Sequence, residues 1–569
     1  MPTNKFLEPN FNLKTLSANE LQELVADIRG FIYQEVNHHG GHLASNLASI
    51  EFICALHYVY DLNKTRLIFD VGHQAYTHKI LTGRHDFSKF RQGGMSGFIR
   101  ESESPYDIFE SGHAGNALGA LSAYRALDLN NKVGKENIAI IGDQSFLNGH
   151  SLESFSYLLE TTAAKNCPNQ GKVTIVYNDN SPQIKTSNFD PSLVLKNLCQ
   201  NVGWSYIEVH QGNDVLDGIQ ALESAQKKSG SVFVHFHTLR GYGYPEIVSQ
   251  PDLYHSIGPS HRRITLSMAD VLEKLNTPQT PLYCFNSAMT RAQHLVSYQQ
   301  NHPHLYFDLG IREDHSLTSA TIFAKEGHRV YVTYYSTFFQ RVIDGLINEI
   351  LRTKTKIIIG IDACGIADYN GSTHQGLFDL GLLYALDIPI VSPFNLNEAY
   401  YLMDKFYRSS LAGPLALRFS KDFTQNKPIT PTKPTYELNA QVLAPQAVIL
   451  TYGRVASLIL DYVTSHHYPF LVLNCYQLNP LEEQLLTIIG DHKIIVYEET
   501  FYGGGLYHKL IEALFVRGRH NKVYQVAIDK PFVEGLPDDS FFDNLHLWNQ
   551  RLKAIIEEIL NQSSPRTNF

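Results

Sequence analysis

Two short motifs in the first third of the chain carry residue types that hold a divalent cation. Ile138–Phe146 has the sequence IAIIGDQSF and Val173–Ser181 has VTIVYNDNS, so in each an apolar run ends in a turn containing Asp or Asn. Such hard oxygen ligands suit Mg²⁺, which usually keeps only one or two protein carboxylates. Asp143 and Asn180 are therefore predicted to bind Mg²⁺ together, and the alternative is two ordinary surface turns.

The elements that must position these motifs are strands, because short apolar runs alternate with helical patterns along most of the chain. Buried parallel strands have this composition, rich in Val and Ile, since crossover helices cover both faces of their sheet. The sequence predicts an α/β protein with open, mostly parallel sheets, whose ligands bind at the carboxyl edge. The predicted strands are Asn137–Ile141, Val173–Tyr177, Val232–Phe236, Val330–Thr333, Lys356–Ile361, Ala447–Thr451, Phe470–Leu473 and Lys493–Tyr497.

Two changes in composition divide the 569 residues. One lies near Ser260–Pro281, and the other is Asp422–Pro434 (DFTQNKPITPTKP), which contains three prolines and is typical of a linker. Each of the three blocks has its own series of strands. We therefore predict three α/β domains with open, mostly parallel sheets, at residues 1–265, 275–425 and 435–569.

The charge balance excludes several classes of partner. The chain has 47 basic and 56 acidic residues, a net charge of −9 and no long basic run, so nucleic acid and anionic membranes are not indicated. It has no apolar stretch of about 18 residues and no signal-peptide pattern at its start, which predicts a cytoplasmic protein. Its six cysteines are scattered without a C-x-x-C pair, so neither a cysteine zinc site nor a disulfide framework is predicted.

A series of longer motifs occurs in order along the chain. They are Gly40–Phe52 (GGHLASNLASIEF), Arg66–Arg84 (RLIFDVGHQAYTHKILTGR), Gly93–Asp107, Ser111–Ala120 (SGHAGNALGA), Phe307–His315 (FDLGIREDH), Tyr335–Arg341 (YSTFFQR), Gly371–Leu380 (GSTHQGLFDL) and Glu498–Leu506 (EETFYGGGL). Over about residues 15–560 this series resembles the 1-deoxy-D-xylulose-5-phosphate synthases of the transketolase superfamily. The motif pair around Asp143 and Asn180 resembles the thiamine-diphosphate motif of that superfamily.

The resemblance implies a transferase that uses thiamine diphosphate and Mg²⁺. Such an enzyme decarboxylates pyruvate and adds the two-carbon unit to a phosphorylated aldehyde, glyceraldehyde 3-phosphate, and its product serves isoprenoid and thiamine biosynthesis. A homodimer is expected, with the diphosphate and the metal in the first domain, the pyrimidine ring in the second, and a third domain that mainly supports dimerisation.

The resemblance also implies which residues hold the cofactor. Glu313 matches the glutamate that hydrogen-bonds the aminopyrimidine ring, where a carboxylate helps to activate the thiazolium C2 proton. The backbone carbonyl of Pro182 is implied as a third metal ligand. The other implied cofactor-binding residues are His73, Gly112, His113, Ala114, Gln144, Ser145, Asn180 and Tyr254, with His255 beside Tyr254.

Catalytic and substrate-binding residues follow from the same matches. His42 lies where the family has a histidine suited to proton transfer near the reacting carbonyl. His374 is expected to reach the substrate as a second catalytic histidine. Tyr335, Arg341 and Arg418 match residues that hold the acceptor's phosphate or hydroxyls, and a guanidinium suits phosphate because it can bind two oxygens at once.

Three departures from the family pattern affect the regions around the cofactor and substrate. Gln144 stands where the family has glycine, and Asn370 where it has aspartate. A long segment that the family carries after the motif ending at Asn180 is absent here. These changes leave two alternatives open: the same chemistry with another donor or acceptor aldehyde, or a homologue that no longer catalyses and instead binds or regulates.

Overall fold

Parallel strands form the framework of this α/β protein, as its Val- and Ile-rich runs predict. The computed structural model describes residues 5–8, 11–91, 93–131, 134–163, 171–180, 191–258, 266–366, 371–421, 423–533 and 546–563. The chain divides into two compact units, Met1–His261 and Arg262–Phe569. Within the described ranges no helix is both long and apolar enough to cross a membrane.

The first unit is built on a five-stranded parallel sheet with the order β1-β2-β3-β5-β4. The strands are β1 Thr65–Phe69, β2 Glu136–Gly142, β3 Val173–Asp179, β4 Ser205–Val209 and β5 Val232–His237. Residues of β2 alternate between two hydrophobic clusters, with Ile138 and Ile140 in one and Ala139 and Ile141 in the other. Both faces of this sheet are therefore covered, which explains its continuous apolar runs.

The second unit contains two sheets. The larger has the order β14-β10-β11-β9-β8-β6-β7 and the smaller has the order β13-β12-β15-β16. Only β14 runs antiparallel to its neighbour, β10. The strands are β6 Leu282–Asn286, β7 Tyr306–Asp308, β8 Arg329–Tyr335, β9 Ile357–Asp362, β10 Ile390–Val391, β11 Pro414–Arg418, β12 Ala447–Thr451, β13 Phe470–Asn474, β14 Gln477–Asn479, β15 Lys493–Phe501 and β16 Val523–Ile528.

Helices connect the strands of all three sheets. In the first unit they are α1 Ala18–His39, α2 Leu43–Leu47, α3 Ile50–Val59, α4 Tyr76–Leu81, α5 Ala117–Asn131, α6 Asp143–Phe146, α7 Gly149–Thr162, α8 Pro191–Asn201, α9 Val215–Lys227 and α10 Pro245–Ser249. In the second they are α11 Met268–Leu275, α12 Val296–Asn301, α13 Glu313–Lys325, α14 Ile343–Gly345 with a π-helix Leu346–Leu351, α15 Asp379–Ala385, α16 Leu396–Arg408, α17 Val455–Ser465, α18 Glu483–Ile489, α19 Leu506–Val516 and α20 His546–Ser563.

The two sheets of the second unit share a core. One buried cluster extends from Met268 to Leu514 and includes strands of both sheets. The described part of the predicted linker forms no helix or strand, but Ile429 within it is buried and its carbonyl accepts a hydrogen bond from Lys274. The segment predicted as a linker is therefore packed at Ile429, while the three domain boundaries stay a prediction.

Candidate active site

A strained turn at the carboxyl end of β1 carries the first candidate histidine. Val71 has φ 60° and Gly72 has φ 84°, and a Cβ at Gly72 would meet the backbone nitrogen of Ile99 at 2.5 Å. A β-branched residue rarely adopts a positive φ, and such strain persists where surrounding contacts enforce it, often at functional sites. His73 follows this turn directly, so the backbone conformation of Val71 and Gly72 fixes the position of the His73 Cα atom.

Three predicted histidines lie together in the first unit. The ring of His42 is 5.4 Å from that of His73 and 5.6 Å from that of His255, and His73 and His255 are 5.9 Å apart. Phe98 packs 5.4 Å from His42. Burial, with a smaller effect of His255, lowers the pKa of His73 to about 3, so this imidazole is neutral at physiological pH.

Asn46 holds this histidine cluster in place. Its buried side-chain amide donates to the carbonyls of His42 (2.6 Å) and His73 (2.7 Å). Its oxygen accepts from the backbone nitrogen of Tyr76 at 3.0 Å, and the Tyr76 hydroxyl in turn lies 3.0 Å from the backbone nitrogen of His42. Asn46 and Tyr76 were not predicted as site residues, although both lie inside the motifs Gly40–Phe52 and Arg66–Arg84.

Asp70 fixes the loop that contains Gly112, His113 and Ala114. Its carboxylate accepts backbone hydrogen bonds from Gly115 (3.0 Å to each oxygen), Asn116 (3.0 Å) and Ala117 (3.1 Å). Burial nevertheless raises the pKa of Asp70 against the effect of these bonds. Asp70 was not predicted as a site residue because its hydrogen-bond partners are 45 to 47 positions away in the chain.

The predicted metal ligands Asp143 and Asn180 follow neighbouring parallel strands. Gly142, the last residue of β2, pairs with Asn178 of β3, so both side chains leave the sheet at its carboxyl edge. Asp143 is 3% exposed and its Oδ1 accepts from the backbone nitrogen of Gln144 at 2.8 Å. The side chain of Asn178 donates a hydrogen bond to Gln74 and accepts one from Thr238. Asn180 is therefore the asparagine of this motif that stays the predicted metal ligand.

The remaining predicted cofactor-binding residues of the first unit lie in short helices. Gln144 and Ser145 lie in the short helix α6, with Gln144 half-buried and Ser145 buried. Tyr254 ends a 3₁₀ helix and packs against the hydrophobic core of this unit. Pro182 lies outside the described residues, as does Asn370 of the second unit.

Glu313 is the first residue of helix α13, in the second unit. Its side chain is 4% exposed, and Oε2 makes no hydrogen bond with a described residue, the nearest cation being Arg341 at 3.6 Å. Its carbonyl accepts from Ser316 at 2.9 Å and lies 3.4 Å from the hydroxyl of Tyr334. Burial raises the pKa of Glu313 despite Arg341, so its carboxyl keeps a proton to higher pH than usual.

Two aromatic side chains lie beside His374 in the same unit. The rings of Tyr335 and Phe338 are 6.3 Å and 5.6 Å from that of His374. His374 Nδ1 lies 2.7 Å from the Thr373 hydroxyl, which orients the imidazole. Tyr335 ends β8 and is 3% exposed, and Arg341 follows in the 3₁₀ helix Phe339–Val342.

Arg418 has a different environment from the one expected of a substrate-binding arginine. It ends β11, is 4% exposed, and its Nε donates to Asp379 Oδ2 at 2.6 Å. Its guanidinium also lies 5.4 Å from the ring centre of Tyr452. Much of its binding capacity is thus used inside the second unit, and its contact with substrate stays a prediction.

The residues present fit thiamine diphosphate and a metal ion. The buried Oε2 of Glu313 suits a ring nitrogen of the pyrimidine, because a buried carboxyl oxygen without a hydrogen-bond partner is costly. In the first unit, a carboxylate and an amide follow adjacent strands, beside a loop fixed by Asp70.

Comparisons with known proteins place the chain among sequence relatives. Residues 5–189 match the family model described as 1-deoxy-D-xylulose-5-phosphate synthase, and residues 260–426 match the model described as transketolase, pyrimidine binding domain. A protein named 1-deoxy-D-xylulose-5-phosphate synthase from Dictyoglomus thermophilum is 31% identical over 589 residues, covering 92% of this chain and 93% of that protein.

Other proteins with that name are similar over nearly their whole length. The one from Dictyoglomus turgidum is 30% identical over 616 residues (97% and 99% covered), and the one from Listeria monocytogenes is 29% identical over 601 residues (98% and 97% covered). A solved transketolase from Leishmania mexicana reaches a TM-score of only 0.41 at 14% identity, covering 97% of this chain and 99% of that one. The family assignment therefore depends on the sequences.

Proposed function

Since the chain belongs to the 1-deoxy-D-xylulose-5-phosphate synthase family, we propose that it decarboxylates pyruvate and transfers the two-carbon unit to glyceraldehyde 3-phosphate. The product is 1-deoxy-D-xylulose 5-phosphate, a precursor in isoprenoid and thiamine biosynthesis. Thiamine diphosphate supplies the electron sink that the decarboxylation needs when it is bound. The observation that carries the proposal is the buried, incompletely bonded carboxyl of Glu313 at the start of α13.

Glu313 serves as the acid–base partner of the pyrimidine ring. Burial raises the pKa of its carboxyl, which favours sharing a proton with a ring nitrogen over holding a full charge. Arg341, at 3.6 Å, limits that shift and keeps the carboxyl ionisable. Ser316 and Tyr334 hold the backbone of Glu313, so the carboxyl is positioned before the cofactor binds.

The first unit supplies the ligands for the diphosphate and its metal. Asp143 and Asn180 contribute oxygens to Mg²⁺, which the donor set favours. The neutral imidazole of His73 can donate or accept a hydrogen bond without bringing a charge to the site. His42, held by Asn46, is the residue of this cluster that moves a proton at the reacting carbonyl.

The second unit supplies the groups that recognise the acceptor. Arg341 binds its phosphate, and Tyr335 and His374 contact its hydroxyls. Arg418 acts mainly by holding Asp379, which also accepts from Ser336 next to Tyr335 at 3.1 Å. The family resemblance further supports a homodimer located in the cytoplasm. Light scattering of the purified protein tests the dimer, and cell fractionation tests the location.

The proposal is tested on the variant Glu313→Gln by hydrogen–deuterium exchange at C2 of bound thiamine diphosphate. The amide keeps the shape but cannot take up a proton, so exchange slows by roughly 10²–10⁴-fold, as for other positioned acid–base groups. Glu326→Gln is the matched control, since this glutamate is exposed at the other end of α13. Exchange equal to wild type in Glu313→Gln refutes the assigned role.

A screen of donors and acceptors separates the alternatives. Product formed faster with another aldehyde than with glyceraldehyde 3-phosphate favours a changed acceptor, the outcome that Gln144 and Asn370 leave open. Failure to bind thiamine diphosphate in the presence of Mg²⁺ identifies a non-catalytic homologue. The buried positions of Glu313, Asp143 and His42 argue against that second outcome.

A further inference from the structure

Five titratable side chains gather at the carboxyl edge of β3, β4 and β5, outside the residues assigned above. This edge cluster consists of Asp179, Glu208, His210, His235 and His237. Alternate residues of a strand point to the same face, and the ladder pairs Asp179 with His237 and Glu208 with His235. The middle residue of the Asn-Asp-Asn motif, Asp179, thus belongs to this cluster.

His237 is the centre of the edge cluster. Its Nε2 lies 2.9 Å from Glu208 Oε1, and its Nδ1 lies 3.4 Å from Asp179 Oδ2. The ring of His210 is parallel to that of His237, with centres 5.3 Å apart and an angle of 13°. The two nitrogens of His237 therefore face different carboxylates, while the exposed His210 stacks on the ring and brings a ligand atom within 4.8 Å of those of Glu208 and His237.

His235 has a supporting position in the cluster. Its side chain is fully buried, with Nδ1 2.6 Å from the Tyr206 hydroxyl and Nε2 3.1 Å from Asp179 Oδ2. Both ring nitrogens are thus used. Asp179 is held by His235 on one side and faces His237 on the other, so it can orient His237 without binding an ion itself.

We propose that Glu208, His210 and His237 bind a Zn²⁺-like divalent cation, at a site separate from the diphosphate metal, with Asp179 as a positioning residue. The ligand atoms of the three residues lie within 4.8 Å of one another. Tetrahedral zinc with ligands at about 2.0–2.2 Å needs separations of about 3.3–3.6 Å, so modest side-chain rotation suffices. His210 lies in a turn just after β4 and is exposed, so its side chain supplies that rotation.

The chemistry of the donors selects this class of ion. Two imidazoles and one carboxylate suit zinc and its neighbours, whereas Mg²⁺ prefers oxygen alone. A metal-bound histidine almost always gives its other nitrogen to a carboxylate, which is the relation of Asp179 to His237. Glu208 and His237 are 26% and 19% exposed, which leaves room for a water molecule as the fourth ligand.

The ion would join the ends of three strands. Asp179 immediately precedes Asn180, so an occupied edge cluster restrains the segment that carries a predicted Mg²⁺ ligand. The ion therefore has a structural or regulatory function and takes no part in the bond-making steps. A protein that bound no ion there would hold the same three side chains by contacts of His237 with Glu208 and Asp179 alone.

The test is calorimetric titration of metal-free, tag-free protein with Zn²⁺, with thiamine diphosphate and excess Mg²⁺ present throughout. One equivalent is expected to bind, and Glu208→Gln and His210→Ala should each weaken binding by at least about tenfold. Asp179→Asn should weaken it by about 10–100-fold, the usual effect of losing such an orienting carboxylate, while the visible spectrum of the Co²⁺-loaded variant keeps the wild-type ligand set.

Two controls make the outcome decisive. His520→Ala removes an exposed histidine of the second unit and should leave the titration unchanged. Asp143→Ala should lose the Mg²⁺ dependence of thiamine diphosphate binding and retain the zinc equivalent. No equivalent in the wild type, or equal affinity in wild type, Glu208→Gln and His210→Ala, overturns the proposal and leaves the edge cluster a network of hydrogen bonds.

Discussion

Replacing Asp70 tests whether one buried carboxylate orders the loop of Gly112–Ala114. Asp70→Ala leaves the backbone N–H groups of Gly115, Asn116 and Ala117 without their acceptor. Each unsatisfied buried donor costs about 1–3 kcal/mol, and the low end applies because water can enter the space left by the side chain. The expected local cost is therefore about 3 kcal/mol.

The isosteric variant Asp70→Asn separates the lost acceptor from the lost charge. Its remaining oxygen, placed at the Oδ1 position, can still accept from Gly115, Asn116 and Ala117, and only the second contact of Gly115, with Oδ2, is replaced by an NH₂ group. We expect a cost of about 1 kcal/mol, that of one net hydrogen bond. Since 1.4 kcal/mol is a factor of ten, the two variants correspond to about 100-fold and about 5-fold faster local opening.

Amide hydrogen exchange measured by mass spectrometry gives these factors directly, because exchange reports local opening. The peptide covering Ser111–Ala120 should exchange faster in the predicted order, and a peptide from β5 should not change. Saturating thiamine diphosphate should restore part of the protection, since the ligand binds the ordered loop. Equal exchange in wild type and Asp70→Ala would show that other contacts hold the loop.

Three further predictions concern two arginines and a buried carboxylate. Arg341→Ala should raise the KM for glyceraldehyde 3-phosphate by roughly 10–100-fold, the loss of one charge-assisted bond of about 1.5–3 kcal/mol, and leave that for unphosphorylated glyceraldehyde unchanged. Arg418→Ala should instead destabilise the fold by about 3–5 kcal/mol, because it breaks a buried ion pair. Asp107→Asn should also destabilise the protein, and the difference in melting temperature from wild type should shrink as the pH falls below 4.

The pH dependence of the last variant follows from the pKa of Asp107. Burial acts to raise this pKa, but the hydrogen bonds from His78 and Arg84 outweigh it and hold the pKa below the ordinary 3.8. The stabilisation is thus present above about pH 4 and is lost as pH falls through the folded pKa. A difference that does not change with pH would contradict this reasoning, and equal KM changes on both aldehydes would contradict the role of Arg341.

The strands that the sequence predicted share a simple signal. All eight predicted runs lie in or overlap observed strands, and Ala447–Thr451 matches β12 at both ends. Runs of Val and Ile indicate strands covered on both faces, so they are visible without tertiary information. The strand β11 begins with proline and β4 contains Ser and Glu, so neither has that pattern although both pair in the sheets.

Contacts over long sequence separations explain what the sequence did not predict at the site. The motifs contain His42 and His73, whose rings lie 5.4 Å apart, and Glu313, which starts a helix. Nothing local shows that Arg418 faces Asp379, 39 positions away. Asn46 likewise has an ordinary helical environment in the sequence, and only folding brings His73 to it.

The antiparallel strand β14 links two of the predicted domains within the second unit. β14 belongs to the third predicted domain, where it follows β12 and β13, yet it pairs with the edge strand β10 of the larger sheet. Asn479 of β14 also donates a hydrogen bond to the carbonyl of Ile388 at 2.8 Å. A protease that cut the segment around residues 430–434 would break the chain without separating its pieces. The C-terminal fragment would remain bound, because its strand β14 pairs with β10 of the other fragment. Isolated from it, that other fragment would expose the edge of β10, which favours aggregation.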